Sequence, residues 1–446
     1  MKEISKEFLE NKLNEYSNDK SNAIFRHALV KNPLLDVVSN ADNRKDIDFN
    51  FDVEVKTMKA TNQKSSGRCW IFAASNVIRE KIAKEVGLQD FEISQSYLAF
   101  YDKLEKCNYF MESVMELLDK DYDDRTLAFL LSEGVGDGGQ WDMLVNVINK
   151  YGICPKNVYD ETFNSSSTMN LNKLLNFNLR KFTSEAKTIY ANNNKNLDKV
   201  KSLKEEYLTK FYSFLISLYG VPPKSFNFEY TDKDGKCHRD EFASPMAFKE
   251  KYLGNYLDEF ISIINAPTND KPFNKSYTVK YLGNVIGGKP VRHLNLTMDR
   301  MKELIISQLK DNEIVWFGSD VGFFGDRING VWSDTSFDFV TPTGLNYIMD
   351  KGESLDYRAS AMNHAMCITA VAFNNNTNIA SKWKIENSWG TEAGKQGYYI
   401  MSNTWFDQFV YQAVVNKKYL TNEELIALDE APIELKPWDP MGSLAK

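Results

Sequence analysis

Gln63-Lys64-Ser65-Ser66-Gly67-Arg68-Cys69-Trp70 places a carboxamide six positions before a thiol, where a glycine-containing loop meets an apolar run. The run opens with Trp70-Ile71-Phe72-Ala73-Ala74 and continues through Val77, Ile78 and Ile82. That spacing predicts a buried helix with one polar flank. Cys69 then stands at the helix N-terminus, where partial positive charge and unpaired N–H groups favour thiolate over thiol. An imidazolium nearby would lower the thiol further. Gln63 is a candidate oxyanion donor, its side-chain NH₂ joining the backbone N–H of Cys69 on a substrate carbonyl oxygen.

Two downstream segments complete the chemistry: Asn363-His364-Ala365 and Glu386-Asn387-Ser388-Trp389-Gly390. His364 precedes the apolar run Met366–Phe373, a strand able to hold its ring. Ser381–Ser388 alternates like a strand that would end with Asn387 beside His364. We expect Asn387 to accept the Nδ1–H of the imidazole, leaving the other nitrogen to face Cys69, with Trp389 shielding the bond from water. Thiol, proton carrier, orienting amide and oxyanion donor make up the set needed for nucleophilic acyl transfer. His27, His238 and His293 have no companion motif and read as structural or exposed. Cys107, Cys154, Cys237 and Cys367 read as small buried hydrophobes.

Composition excludes several classes. The 446 residues are 43% apolar and 26% charged, with a formal net charge of -7. This is the make-up of a globular chain with room for one large core or two to three ordinary ones. The scattered acidity makes nucleic acid an unexpected primary partner. Nothing approaches the roughly 18 apolar residues of a membrane span, and the first residues lack the apolar core of a signal peptide. Five widely spaced cysteines with no C-x-x-C pair favour reduced thiols over a disulfide framework or a zinc knuckle. A cytoplasmic protein is expected.

Along the chain, residues 1–60 open helical, residues 32–38 read as loop or extended chain, and Phe51–Val55 reads as a short strand. Further helices are expected from Ser94, around Leu127–Leu131 and over Trp141–Tyr151, with Gly134–Gly139 a glycine-rich turn between the last two. Residues 165–290 become rich in Asn, Lys and Ser, with helical periodicity at 171–182 and 203–218 and one or two more helices over 242–264. Strands dominate after about 278, including Ile314–Gly318 and Gly397–Met401.

These motifs resemble the papain-like cysteine peptidases, and more closely the bleomycin hydrolase and aminopeptidase C family. The papain signature C-G-[SA]-C-[WY] reads here Ser66-Gly67-Arg68-Cys69-Trp70. The first Cys is replaced by Ser66 and the small residue by Arg68, a departure typical of the bleomycin hydrolase branch. Gly136-Asp137-Gly138-Gly139-Gln140-Trp141 is similar to the strip that hydrogen-bonds substrate backbone, which makes Gly138 and Gly139 candidate substrate-binding residues. In secreted relatives a disulfide joins the positions of Ser66 and Gly136, and its absence agrees with a reducing compartment. The tail Lys436-Pro437-Trp438-Asp439-Pro440-Met441-Gly442-Ser443-Leu444-Ala445-Lys446 is similar to the family's C-terminal arm, which lies in the substrate cleft. The resemblance implies that Ala445 and Lys446 meet the substrate N-terminus, and Lys446 is a candidate for self-trimming. Cys69 and His364 are 295 positions apart (364 − 69), against roughly 130–150 in papain and cathepsins. The surplus falls in 165–290, which the resemblance makes a helical hook for a homohexamer.

The expected fold is α+β and papain-like, in four parts. Residues 1–164 hold the helical half with Cys69, and 165–290 the insertion. Residues 291–435 hold the strand-rich half with His364 and Asn387, and 436–446 the arm. The expected activity is a cysteine aminopeptidase acting on peptides with a free N-terminus through a Cys69 thioester, with bleomycin-type amide hydrolysis at the side. No metal or other cofactor is called for. The rivals are an endopeptidase with a displaced arm and an idle scaffold or binding protein.

Overall fold

The apolar run after Cys69 forms a single helix, Cys69–Val86, in which every residue from Cys69 to Glu80 is buried. Gly87 ends it at φ 73°, a left-handed position, and its N–H caps the Ala83 carbonyl. The computed structural model describes all residues except 41–47, 89, 328, 376 and 446. Ser94 caps the next helix, Gln95–Met115, and Asp124 caps Arg125–Glu133. Trp141–Tyr151 stops at Gly152 (φ 75°), where a Cβ would strike the backbone of Pro245 and Met246.

Against this helical half lies a sheet of twelve strands among the described residues. Its centre runs Phe260–Ile264, Val410–Asn416, Val315–Ser319, His364–Phe373, Ala380–Glu386, Tyr398–Ser402, each antiparallel to the next. Val315–Ser319 and Val410–Asn416 are buried throughout, and His364–Phe373 nearly so, which explains their continuous apolar runs. The Cys69–Val86 helix packs on the His364–Phe373 strand. Two hydrogen bonds fix the seat: Cys367 Sγ to the Ala73 carbonyl at 3.1 Å, and Trp316 Nε1 to the Trp70 carbonyl at 3.2 Å.

Within 165–290 the long helices are Met169–Asn192 and Asp198–Tyr219. Leu171, Leu175, Leu179, Phe182 and Ala186 form a buried stripe on the first; Tyr207, Phe211, Leu215 and Tyr219 form one on the second. The expectation of helix over 242–264 is corrected. Only Pro245–Tyr252 is α-helical, and Phe260–Ile264 is a fully buried strand of the main sheet. A short apolar run reads alike as buried helix or strand, and its five residues with three isoleucines suit the strand. Lys275–Val279 joins the same sheet, so this segment is not helical to its end. Residues 34–37, expected as loop or extended chain, make one helical turn after Pro33. The helix Met298–Lys310 and the strand Val410–Asn416 were not anticipated. All five cysteines are free, but Cys237 is exposed rather than buried, because it starts the edge hairpin Phe226–Thr231/Cys237–Phe242.

A buried ion pair ties the two halves together. Arg79, on the Cys69 helix, donates to Glu386 Oε1 at 2.6 Å, and Asn76 Nδ2 donates to the same oxygen at 2.9 Å. Arg79 also caps the carbonyl of Lys59 at 2.9 Å. The Glu386 side chain is 0% exposed, so removing Arg79 strands a charge. Arg79→Met is expected to cost about 3–5 kcal/mol in urea unfolding, with most of it regained in Arg79→Met/Glu386→Leu. A single-variant loss below about 1 kcal/mol would contradict this role for the pair.

Candidate active site

Cys69 is the first residue of its helix, and Arg68, at the cap, offers no side-chain bond to the first turn. The early N–H groups therefore stay available, and those of Trp70 and of Ala365, across the cleft, donate toward the Cys69 sulfur. Ala365 is the neighbour of His364, so the thiol lies at the start of the His364–Phe373 strand. Cys69, His364, Asn387 and Gln63 are all at least 94% buried, being 4%, 5%, 0% and 6% exposed.

The imidazole is oriented by a bond of 2.8 Å between His364 Nε2 and Asn387 Oδ1. The same oxygen accepts the Ser388 N–H at 2.8 Å, which fixes which end of the amide faces the ring. Nε2 must then carry the hydrogen, and Nδ1 is the nitrogen with a free lone pair. This corrects the expectation that Asn387 would take Nδ1–H. The strand Ala380–Glu386 delivers Asn387 to the far side of the ring, within reach of Nε2. Trp389 is half-buried, with its ring centroid 4.9 Å from that of His364, beside the bond.

Gln63 is held at both ends of its amide. Its Nε2 donates to the Ser66 carbonyl at 2.5 Å, leaving one N–H, and its Oε1 accepts from Ser388 Oγ at 2.6 Å. Arg68 occupies its place for a visible reason. It is 1% exposed, donates through Nε to Ser66 Oγ at 2.9 Å, and makes two bonds of 3.0 Å to Glu161. It anchors the loop before Cys69.

The glycine strip is joined to this loop by Asp137. The carboxylate accepts the Gly67 N–H at 2.9 Å, Asn172 Nδ2 at 3.0 Å and the Thr168 hydroxyl, and pairs with Lys103 at 2.7 Å. Burial alone would raise Asp137, but the Lys103 charge and these bonds hold its carboxyl well below the usual range. Lys103 caps the Gly136 carbonyl at 2.6 Å and Lys106 the Gly138 carbonyl at 2.5 Å. The Gly138 carbonyl is thereby taken, whereas neither the N–H nor the carbonyl of Gly139 is bonded among the described residues. A Cβ on Gly139 would lie 2.5 Å from the Trp70 ring, and one on Gly67 2.9 Å from Asp137 Cβ, so both positions demand glycine. Asp137, Lys103, Lys106 and Ser388 went unrecognised in the sequence. A charged residue inside the glycine strip was the available signal for Asp137.

The C-terminal tail is folded down. The Trp438 ring lies 3.9 Å from the Arg125 guanidinium, and Asp439 pairs with the buried Lys271 at 3.1 Å. Gln140 Nε2 reaches the Met441 carbonyl at 3.5 Å, and Ser443 Oγ donates to the carbonyl of Met362 at 2.7 Å, two residues before His364. Leu444 is buried near Gly318, which is paired with Ala365. Ala445 lines a cavity of about 100 Å³ with Phe110, Leu130, Gly136 and Leu282. Lys446 lies outside the described residues.

Burial opposes the charged form of Cys69 that the helix N-terminus would favour. Burial pushes the Cys69 thiol up to about 11, outweighing the N–H groups of Ala365 and Trp70, with Asp137 adding to the rise. Burial likewise takes His364 down to about 4, against the bond to Asn387 and helped by the Arg327 charge. The helix N-terminus acts in the expected direction, but desolvation is larger. In this closed site burial acts against a charge on either group, raising the thiol and lowering the imidazole. Among the described residues no group of three or more His, Cys, Asp or Glu is arranged to hold a metal, and no helix is long and apolar enough to cross a membrane.

Comparison with known proteins agrees with this geometry. A family model, Peptidase C1-like family, matches residues 3–442. Aminopeptidase C of Lactobacillus delbrueckii subsp. lactis is 47% identical over 100% of this chain and 99% of its own. Bleomycin hydrolase of Mus musculus is 36% identical over 86% of each chain. The crystal structure of pepw from Lactobacillus rhamnosis superposes with a TM-score of 0.96 at 42% identity, covering 99% of each chain. With its α+β, papain-like architecture, the chain belongs to the Peptidase C1-like family.

Proposed function

We propose that the protein is a cysteine aminopeptidase that releases N-terminal residues through a thioester on Cys69. The observation that carries the reading is the oriented His364 beside the Cys69 loop, with the C-terminal arm docked within two residues of it. Sγ gives its proton to His364 Nδ1 and bonds to the substrate carbonyl carbon. The oxyanion takes the backbone N–H of Cys69 and the free N–H of Gln63, each donor worth about 10²–10³ in rate. The C–N bond breaks as Nδ1–H protonates the leaving amine. Water, deprotonated by the same nitrogen, then hydrolyses the thioester. Gly139 bonds substrate backbone with its unpaired N–H and carbonyl. Substrate is recognised by Gly139, Trp389, Ala445 and Lys446, with Gly138 contributing its N–H.

The arm supplies the exopeptidase character. It fills the acyl side of the cleft, so residues preceding the cleaved bond have no path, and its terminal carboxylate is the counter-charge for a substrate ammonium. Bleomycin-type amide hydrolysis follows from the same site, since such an amide resembles an amino-acid amide. A cytoplasmic location and a homohexamer hooked through the long helices Met169–Asn192 and Asp198–Tyr219 complete the proposal. Exposed Met169, Leu174 and Phe177 on the first of these helices support the hook.

Two outcomes test the reading. Removing residues 440–446 is expected to let N-acetylated peptides be cleaved, where the intact protein takes only free N-termini. Equal cleavage of acetylated and free peptides by the intact protein would defeat the arm's role. The second concerns pH. The imidazole must be neutral to accept the thiol proton, and burial lowers its pKa, so capacity is kept as pH falls below the ordinary 6.5 and is lost through about 4. The rate of Cys69 alkylation by iodoacetamide, read by peptide mass, should therefore have its acid midpoint near 4. A midpoint at 6–7 would be characteristic of an unperturbed His and would contradict the buried neutral base.

A further inference from the structure

The arm's hydrogen bonds, ion pairs and ring contacts fall on Arg125, Phe129, Gln140, Lys271, Arg358 and Met362. Among the described residues none of these contacts reaches Gln63, Trp389 or Arg327, and on that ground we take the Trp389 flank as the side that receives the leaving peptide. Two linked contacts define that flank. The Trp389 ring is 4.9 Å from the His364 ring, and the Arg327 guanidinium is 4.9 Å from the centre of the Trp389 ring. Arg327 is exposed and, among the described residues, has no carboxylate within ion-pair distance. Its sequence neighbour Asp326 instead accepts from Asn329 N–H and Nδ2, at 2.9 and 2.6 Å.

We infer that Arg327, placed over the Trp389 ring, is a specificity residue that binds a carboxylate of the leaving group. An arginine whose guanidinium already lies over an indole face gives up part of its freedom there and still has N–H donors for a planar carboxylate. Such a charge-assisted pair is stronger than a neutral hydrogen bond. Its charge is also close enough to act on His364, which agrees with a position beside the reacting centre. The inference rests on the aminopeptidase reading. The carboxylate has two sources. One is an acidic side chain on the residue following the cleaved bond; the other is the C-terminus of a dipeptide. Sequence reading passed over Arg327 because it lies in no motif and some 37 positions before His364 (364 − 327).

The test uses the full-length protein and its Arg327→Ala and Arg327→Lys variants. Values of kcat/KM are measured for Ala-Asp-Ala-amide against Ala-Ala-Ala-amide, and for Ala-Ala against Ala-Ala-amide. Each preference is a ratio taken within one variant, so a general loss of folding or rate cancels. Wild type is expected to favour the carboxylate member of at least one pair about tenfold. Arg327→Ala should bring that ratio to near one, and Arg327→Lys should keep only part of it. The pair that responds identifies the source. No preference in wild type for either carboxylate, or an unchanged ratio in Arg327→Ala, would overturn the inference. Turnover of alanyl-aminomethylcoumarin by wild type reports separately on the aminopeptidase reading, because its leaving group carries no carboxylate.

Discussion

The seat of one helix on one strand governs this molecule. The helix beginning at Cys69 is buried from Cys69 through Glu80 and lies on the strand beginning at His364, with Cys367 on the Ala73 carbonyl and Trp316 on the Trp70 carbonyl. A helix start and a strand start are both rigid points. Bringing them together sets the Cys69 sulfur against the start of the His364 strand, at the Ala365 N–H, without any flexible loop deciding the placement. Side chains at such ends cannot wander, because their backbones are committed to hydrogen bonding along the helix and the sheet. The Arg79–Glu386 pair locks the same helix to the next strand, one residue before Asn387. Cys69, His364 and Asn387 therefore share one framework.

A second layer of polar contacts controls the walls. Asp137, itself in the glycine strip, bonds both the Gly67 N–H and Lys103, so the loop before Cys69 and the strip are tied to each other and to the helix Gln95–Met115. Two lysines occupy the carbonyls of Gly136 and Gly138, while that of Gly139 has no bond among the described residues. The network is nearly dry, and burial has opposite effects on its members: it drives Cys69 up and His364 down, while the neighbouring cation keeps Asp137 ionised. Burial thus works against a charge on either Cys69 or His364.

Much of this was legible in the residues. The turn from loop to helix at Cys69, the helix caps at Ser94 and Gly152, and the strand after His364 all announce themselves by period and by capping chemistry. Resemblance supplied the meaning of the tail, which no periodicity could. What stayed hidden has physical causes. Phe260–Ile264 is apolar on both faces and so carries no period to separate strand from helix. Which imidazole nitrogen meets Asn387 depends on ring orientation, which only the three-dimensional register of two strands determines. The direction in which Cys69 is shifted depends on burial outweighing the helix end, a contest of magnitudes that sequence leaves open. Arg327 and Lys106 become meaningful only through neighbours far away in the chain.

The most direct measurement is a crystal structure of the protein alkylated by a thiol-selective epoxide. The account predicts the adduct on Cys69 Sγ, His364 Nδ1 as the ring nitrogen nearest that sulfur, and Nε2 still bonded to Asn387 Oδ1 at about the 2.8 Å found here. An adduct on another cysteine, or a ring turned so that Nε2 faces the sulfur with Asn387 detached, would contradict it.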